Sequence, residues 1–125
     1  GATMKMEQII KKYFDCWLNN DANELSDIFA ENIVYCECYG AEYHGLKEII
    51  QWFQDWNQRG KVIQWEIKQI MCVEHKAIVE WYFACVYDQE SSQFDGVTIA
   101  EFDENHKIVN LKEFESKHEH FYPYH

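Results

Sequence analysis

The 125-residue sequence lacks long apolar runs and contains a single proline. Charged or amide residues interrupt every hydrophobic stretch from Ile9 to Phe121, so none approaches the roughly 18 consecutive apolar residues that a membrane helix needs. The composition, 47% hydrophobic and 26% charged, is that of a globular protein and excludes a disordered or fibrous chain. We therefore expect a soluble single domain, which we place at residues 4–125.

Positive charge is also scarce. Eleven Lys and Arg residues stand against 22 Asp and Glu residues, giving a formal net charge of −11. Such a chain repels a phosphate backbone, so we expect neither nucleic acid nor an anionic membrane as a partner. Neutral or cationic small molecules remain open as ligands.

No cleavable signal sequence precedes the cysteines, which are odd in number and lie within hydrophobic segments. They are Cys16, Cys36, Cys38, Cys72 and Cys85. We interpret them as reduced and buried, which predicts a cytoplasmic location. A single Cys-x-Cys lacks the paired ligand sets of a zinc site, and no phosphate-binding glycine loop or Gly-x-Ser-x-Gly turn occurs. We therefore predict no metal and no cofactor.

Helical periodicity occurs three times in the first half of the chain. Apolar residues recur at spacings of three and four over residues 4–19, which predicts an amphipathic helix. Asp21 begins a capping-box pattern for a short second helix that ends near Glu31. A third helical period starts at Leu46 and stops at Gly60.

The remaining segments are typical of strands. Residues 33–39 are β-rich, and turn signals at 74–75, 89–92 and 103–106 divide the chain after Gly60 into four long runs. Alternation places Ile63, Trp65 and Ile67 on one face of the first run. On the third run it groups Phe94, Gly96, Thr98, Ala100 and Phe102, while the opposite face is nearly as apolar. The order predicts an α+β domain in which a curved antiparallel sheet wraps against three N-terminal helices.

This arrangement resembles the nuclear transport factor 2-like superfamily, in particular its SnoaL-like branch. The landmarks are Asn19-Asn20-Asp21, the stretch from Ile28 to Tyr35, His44-Gly45, and Phe102-Asp103-Glu104. The resemblance implies a cone-like fold around one apolar cavity and a homodimer formed through the outer face of the sheet. Such families include ketosteroid isomerases, polyketide cyclases, dehydratases, epoxide hydrolases and non-catalytic binding or transport proteins, so the fold alone decides no function.

Glu37 is the first candidate catalytic residue, because a carboxylate buried in a hydrophobic strand has a raised pKa and can act as a base. In the ketosteroid-isomerase pattern a carboxylate base occupies this place, three residues before Gly40. The same resemblance gives Tyr13 the role of donor to the substrate oxygen, but Thr98 stands where the family has a protonated Asp. The alternatives are a Glu37 side chain on the outer face or paired with Lys47, and a Tyr13 ring that only packs in the core.

Glu113 and Glu115 lie on the same strand face as Leu111. If Leu111 points inward, both carboxylates reach the cavity or its mouth, where one could act as acid or base. If Phe114 points inward, both are solvated. We favour solvation for Glu115 and leave both options open for Glu113.

The aromatic residues of the predicted inner face are the candidate ligand contacts, since they could stack on an apolar ring. Together with Thr98, the set is Trp17, Tyr35, Phe53, Trp56, Trp65, Trp81 and Phe83. The alternative is that these rings simply form the core.

The sequence thus leaves two hypotheses. The first is a cofactor-free isomerase, cyclase or dehydratase that transfers a proton on an apolar carbonyl or ring compound, with Glu37 as base and Tyr13 as donor. The second is a non-catalytic protein of the same fold that binds a small molecule or a partner protein.

Overall fold

A computed structural model of the protein describes residues 1–124, so the last residue of the predicted domain, His125, lies outside the described residues. The described residues form three helices and six strands, in the α+β class that the sequence predicts. They are α1 (Ala2–Asn19), α2 (Leu25–Ile28), β1 (Phe29–Cys36), β2 (Glu42–His44), α3 (Leu46–Arg59), β3 (Gly60–Val73), β4 (Lys76–Tyr87), β5 (Glu90–Phe102) and β6 (Ile108–Ser116).

The six strands form one open sheet in the order β2-β1-β6-β5-β4-β3. The four long strands follow one another as antiparallel neighbours, as their turn signals predict. The sheet is mixed rather than wholly antiparallel, because β1 pairs with β6 in parallel. This pairing brings the N-terminal strand beside the C-terminal strand, and residues far apart in sequence thereby become neighbours.

Two predicted boundaries around the second helix are wrong. The Asp21 carboxylate accepts a hydrogen bond from the Asn23 backbone N–H at 2.9 Å, which forms a turn instead of capping a helix. Glu24 is the residue at the N-cap of α2, and the helix ends at Ile28. Phe29 is fully buried, and the chain already enters β1 there, whereas the sequence predicted helix to Glu31.

Strand β1 also ends earlier than predicted. It stops at Cys36 instead of residue 39, so Glu37 lies in the turn that follows the strand. This turn leads into β2, a short strand that the sequence did not reveal because three residues are too few to show alternation.

The inner face of β3 differs from the prediction because the strand is irregular. Its pairing with β4 shifts between Val62 and Gln64 and again after Ile67. Such bulges interrupt the alternation of side chains between the two faces. As a result Val62 and Trp65 are buried, whereas Ile63 is 48% exposed. The buried face of β5 is the predicted one.

Helices α1 and α3 cover the inner face of the sheet. Phe14 of α1 stacks on Trp65 of β3 with ring centroids 3.8 Å apart, and Trp17 packs against Phe53 of α3 at 4.4 Å. Among residues 1–124, no helix combines the length and the apolar character that crossing a membrane requires. The homodimer stays a prediction; Phe114, 51% exposed, is an apolar side chain available on the outer face.

Gly96 allows β5 to pass close to the largest side chain of the inner face. It lies opposite Trp81 in the register of β4 and β5. A Cβ atom at this position would collide with the Trp81 indole and with the backbone carbonyl of Phe114. The Trp81 ring is held from its other end, since its Nε1–H donates to Thr98 Oγ1 at 2.8 Å.

We predict that Gly96→Ala lowers the free energy of unfolding by about 1–3 kcal/mol, the usual cost of overpacking a core. Denaturant titration monitored by tryptophan fluorescence measures it. Ser91→Ala, on an exposed part of the same strand, is the control and should leave the midpoint unchanged. Equal midpoints for the two variants would contradict the close packing of Trp81 on Gly96.

Candidate functional site

A small cavity of about 40 Å³ lies between the helices and the inner face of the sheet. Aromatic side chains and two carboxyl groups make up most of its wall. The lining residues are Trp17, Tyr35, Glu37, Cys38, Tyr39, Trp52, Trp56, Val62, Trp65, Trp81, Phe83, Phe94 and Glu113. Its volume suits roughly three water molecules.

A wider groove of about 870 Å³ adjoins this cavity. The two share Glu37, Tyr39, Trp52 and Trp56 as lining residues. These four side chains therefore lie where the groove meets the cavity.

Two tyrosines and a glutamate form a hydrogen-bonded chain at the cavity wall. The Tyr35 hydroxyl donates to Glu113 Oε2 at 2.6 Å. The Tyr13 and Tyr35 oxygens are also 2.6 Å apart. Because the single hydroxyl proton of Tyr35 is directed to Glu113, Tyr13 must be the donor to Tyr35. The order of donation is therefore Tyr13 to Tyr35 to Glu113.

Glu113 is held largely in its neutral form at pH 7. Burial raises its pKa to about 8; the hydrogen bond from Tyr35 acts in the opposite direction, and the charge of Glu37 adds a smaller increase. Glu113 lines the cavity, and because Tyr35 donates to its Oε2, the proton of the neutral form lies on Oε1. This answers the question that the sequence left open for Glu113, because Leu111 is buried and the carboxyl faces inward.

Glu37 lies in a tight turn between β1 and β2. Its N–H donates to the Ala41 carbonyl at 2.9 Å, and its own carbonyl accepts from the Gly40 N–H at 3.0 Å. The turn needs a glycine, since Gly40 has a φ of 103°. These backbone contacts hold the Glu37 side chain where it lines both the cavity and the groove.

The Glu37 carboxyl has no hydrogen-bond or ion-pair partner within residues 1–124, so the alternative pairing with Lys47 is not observed. Burial alone raises its pKa to about 7. A carboxyl group with this pKa is half ionised near neutral pH and can accept a proton there. Glu37 and Glu113 thus line one cavity in different environments.

Most predicted ligand contacts line the cavity: Trp17, Tyr35, Trp56, Trp65, Trp81 and Phe83. Three aromatic lining residues were not among the predicted ligand contacts: Tyr39, Trp52 and Phe94. Trp52 lies one helical turn before Trp56, and Phe94 pairs with Phe83 in register, so period and pairing were the signals that could have found them.

Three predicted residues do not line the cavity. The Tyr13 hydroxyl is hydrogen-bonded to Tyr35, and the Phe53 ring packs against Trp17. The Thr98 hydroxyl accepts the hydrogen bond from the Trp81 indole. All three are 2% exposed or less. Glu115 is exposed, in line with the preferred interpretation.

The register of β5 and β6 places Glu113 directly opposite Thr98. Opposite residues in an antiparallel pair have their Cβ atoms about 5 Å apart on the same face. A carboxyl group is therefore present beside the position where the ketosteroid-isomerase pattern has its Asp, but it comes from the neighbouring strand. Within the described part of the chain, no group of three His, Cys, Asp or Glu side chains is arranged to hold a metal ion.

Comparison with known families identifies the class of protein. Residues 10–111 match the SnoaL-like domain family. The match covers most of the chain, so the protein belongs to this family. No curated protein sequence matches it significantly.

Solved structures share its ketosteroid-isomerase-like, nuclear transport factor 2-like fold. An LEH-like epoxide hydrolase of M. tuberculosis is 13% identical, with a TM-score of 0.81 over 90% of this chain and 84% of its own. A ketosteroid isomerase-like protein of Catenulispora acidiphila, in complex with trimethylamine, is 16% identical, with a TM-score of 0.77 over 86% and 85%. An NTF2-like protein of Burkholderia pseudomallei is 11% identical, with a TM-score of 0.75 over 90% and 91%. At these identities the likeness establishes the fold.

The raised pKa of Glu113 predicts a pH-dependent cost to stability. The folded protein keeps this proton up to about pH 8, whereas an unfolded glutamate loses it near its ordinary pKa of 4.5. The stability associated with the neutral group is present below pH 4.5 and is lost as the pH rises to 8, at about 1.4 kcal/mol per pH unit.

Glu113→Gln should therefore gain stability relative to the wild type as the pH rises from 5 to 8. Urea titrations across this range measure the difference, with the exposed Glu115→Gln as control. A constant difference between wild type and Glu113→Gln would mean that Glu113 titrates normally.

Proposed function

We propose that the protein is a cofactor-free enzyme that transfers a proton within a small molecule held in the aromatic cavity. Glu37 acts as the general base and Glu113 as the hydrogen-bond donor to the substrate oxygen. The observation that carries this proposal is the presence of two carboxyl groups in one cavity with different surroundings. Such a pair provides an acid and a base at the same pH.

Glu37 suits the role of base because nothing in the described chain competes for its oxygens. Its pKa, raised to about 7, leaves a substantial ionised fraction at neutral pH while making the carboxylate more basic than an ordinary glutamate. Its location at the mouth of the cavity gives it access to a bound molecule from the groove side.

Glu113 suits the role of donor because it stays mostly protonated at pH 7. A neutral carboxylic acid in an apolar cavity can stabilise the negative charge that develops on a carbonyl oxygen when a neighbouring C–H loses its proton. In this proposal Tyr13, which the sequence named as the donor, becomes a positioning residue. It donates to Tyr35, which in turn orients Glu113.

The test is hydrogen–deuterium exchange next to the carbonyl of a small cyclic ketone such as cyclopentanone, followed by proton NMR in D2O. We predict that the protein accelerates this exchange and that Glu37→Gln lowers the rate by about 10²-fold or more, the usual contribution of a general base. Glu48→Gln, in the groove, is the matched control.

The rate should have a bell-shaped pH dependence, because Glu37 must be ionised and Glu113 protonated. The limbs should lie near the pKa values of about 7 and about 8. Glu113→Gln should remove the alkaline limb. A Glu37→Gln protein that exchanges protons as fast as the wild type would refute the assignment of the base.

A second candidate is a non-catalytic protein that binds a small molecule in the same cavity. The small cavity volume favours it, and the Catenulispora structure, whose bound trimethylamine has four heavy atoms, supports a ligand of similar size here. This candidate predicts ligand binding with no exchange by the wild type at any pH.

A further inference from the structure

We propose that the molecule recognised by the cavity carries a positive charge, and that its head is a small substituted ammonium group held between indole rings and the Glu37 carboxylate. This inference rests on the second candidate of the proposed function, the binding protein, and names the charge class of its ligand, for which Glu37 is the counter-ion and not a base. Three features of the described chain support it: ring geometry, charge and size.

Three indole rings lie together in the cavity wall, and we call them the cage: Trp17, Trp52 and Trp56. Trp17 contacts Trp52 with ring centroids 5.0 Å apart at 59°, and it meets Trp56 at 5.3 Å and 90°. Because the three rings are inclined to one another, their faces do not stack into a single layer. Tryptophan faces attract cations more strongly than other rings do, and cages of this kind recognise methylated ammonium groups.

The rings of the cage are held in place from behind. Tyr43 stacks on Trp52 at 4.6 Å and 19°, and Tyr87 packs on Trp56 at 5.3 Å. These tyrosine contacts restrict the two indoles before any ligand binds. A preformed cage loses little side-chain entropy on binding.

The groove beside the cage is lined by more acidic than basic side chains. Glu37 lacks an ion-pair partner in the described chain, and the groove also contains Glu48, Asp55 and Glu90. Arg59 is the one basic residue among the groove-lining side chains, and it is bound to Asp88. An ammonium group beside Glu37 would supply the missing positive charge.

The two carboxyl groups of the cavity are not equivalent toward a cation. Glu113 already accepts a hydrogen bond from Tyr35 and belongs to the buried tyrosine chain. Glu37 lies at the junction of cavity and groove, beside Trp52 and Trp56. We therefore assign the ion pair to Glu37.

The size of the space limits the cationic head. The cavity of about 40 Å³ accepts a group of a few heavy atoms, whereas the groove of about 870 Å³ accommodates a longer remainder. A trimethylammonium group attached to a short polar chain meets both limits.

The test compares choline with 3,3-dimethylbutan-1-ol, in which carbon replaces the charged nitrogen and the shape is kept. Calorimetric titration or ligand-observed NMR gives the two affinities. We expect choline to bind at least about tenfold more tightly, a difference of about 1.4 kcal/mol, because only its charged head makes a cation–π contact. Equal affinities, or no binding of either molecule, would overturn the proposal.

Two variants locate the contact. Glu37→Gln and Trp56→Phe should each weaken choline binding by about fivefold or more and leave the alcohol unaffected, whereas the exposed Glu115→Gln should change neither. Thermal unfolding of each variant verifies that it is folded. If choline binding survives both substitutions unchanged, the cage is not the site.

The outcome is separable from that of the proposed function. Choline binding requires no turnover, so a protein that binds choline but catalyses no ketone exchange retains this inference and loses the enzymatic proposal. A protein that catalyses exchange but binds choline no better than the alcohol retains the enzymatic proposal and loses this inference.

Discussion

The hydrogen bond from Tyr35 to Glu113 is the interaction on which the site depends. It joins β1 to β6, residues 78 positions apart in sequence, at the parallel seam of the sheet. Tyr13 extends the chain of donors into α1. A carboxyl group buried without such a partner would cost several kcal/mol. With it, Glu113 remains inside an aromatic wall, mostly protonated, and with one oxygen facing the cavity.

The hydrogen bond from Tyr35 to Glu113 also makes the surroundings of the two cavity carboxyl groups different. Glu113 is held within the sheet by a buried donor, whereas Glu37 is held only through the backbone of the turn after β1 and leaves its side chain unpaired. Burial raises both pKa values, but only Glu37 reaches the groove. Among the described residues, no Lys, Arg or His forms an ion pair with Glu37. The chemistry proposed for the cavity depends on this asymmetry.

Local patterns predicted the architecture and much of the cavity wall. Helical period identified α1 and α3, and turn residues separated the four long strands. Glu37 was indicated by its hydrophobic sequence neighbours and then by the resemblance. The bulge after Val62 and the turn at Asp21 could not be predicted from the sequence. Both depend on which hydrogen bonds the backbone makes, and the hydrophobic period does not show these. The predicted donor role of Tyr13 had a similar weakness, since its hydroxyl meets Tyr35 only after the fold brings α1 over β1.

The position of Glu113 opposite Thr98 also needed the structure. In the sequence of β5 alone, Thr98 replaces the aspartic acid of the ketosteroid-isomerase pattern. In the structure, β6 pairs with β5 so that the Glu113 carboxyl lies opposite Thr98. A residue's neighbours across a sheet are set by pairing, and pairing is not visible in the spacing of one segment. The site is therefore more complete than its linear pattern indicates.

The proposed chemistry requires that the two glutamates of the aromatic cavity, Glu37 and Glu113, have pKa values shifted toward neutrality. Carbon-13 NMR titration of protein labelled at the glutamate side-chain carboxyl tests it most directly, with Glu37→Gln and Glu113→Gln assigning the two resonances. We expect titration midpoints near 7 for Glu37 and near 8 for Glu113, well above those of the exposed glutamates. Two midpoints near the ordinary value of 4.5 would contradict it.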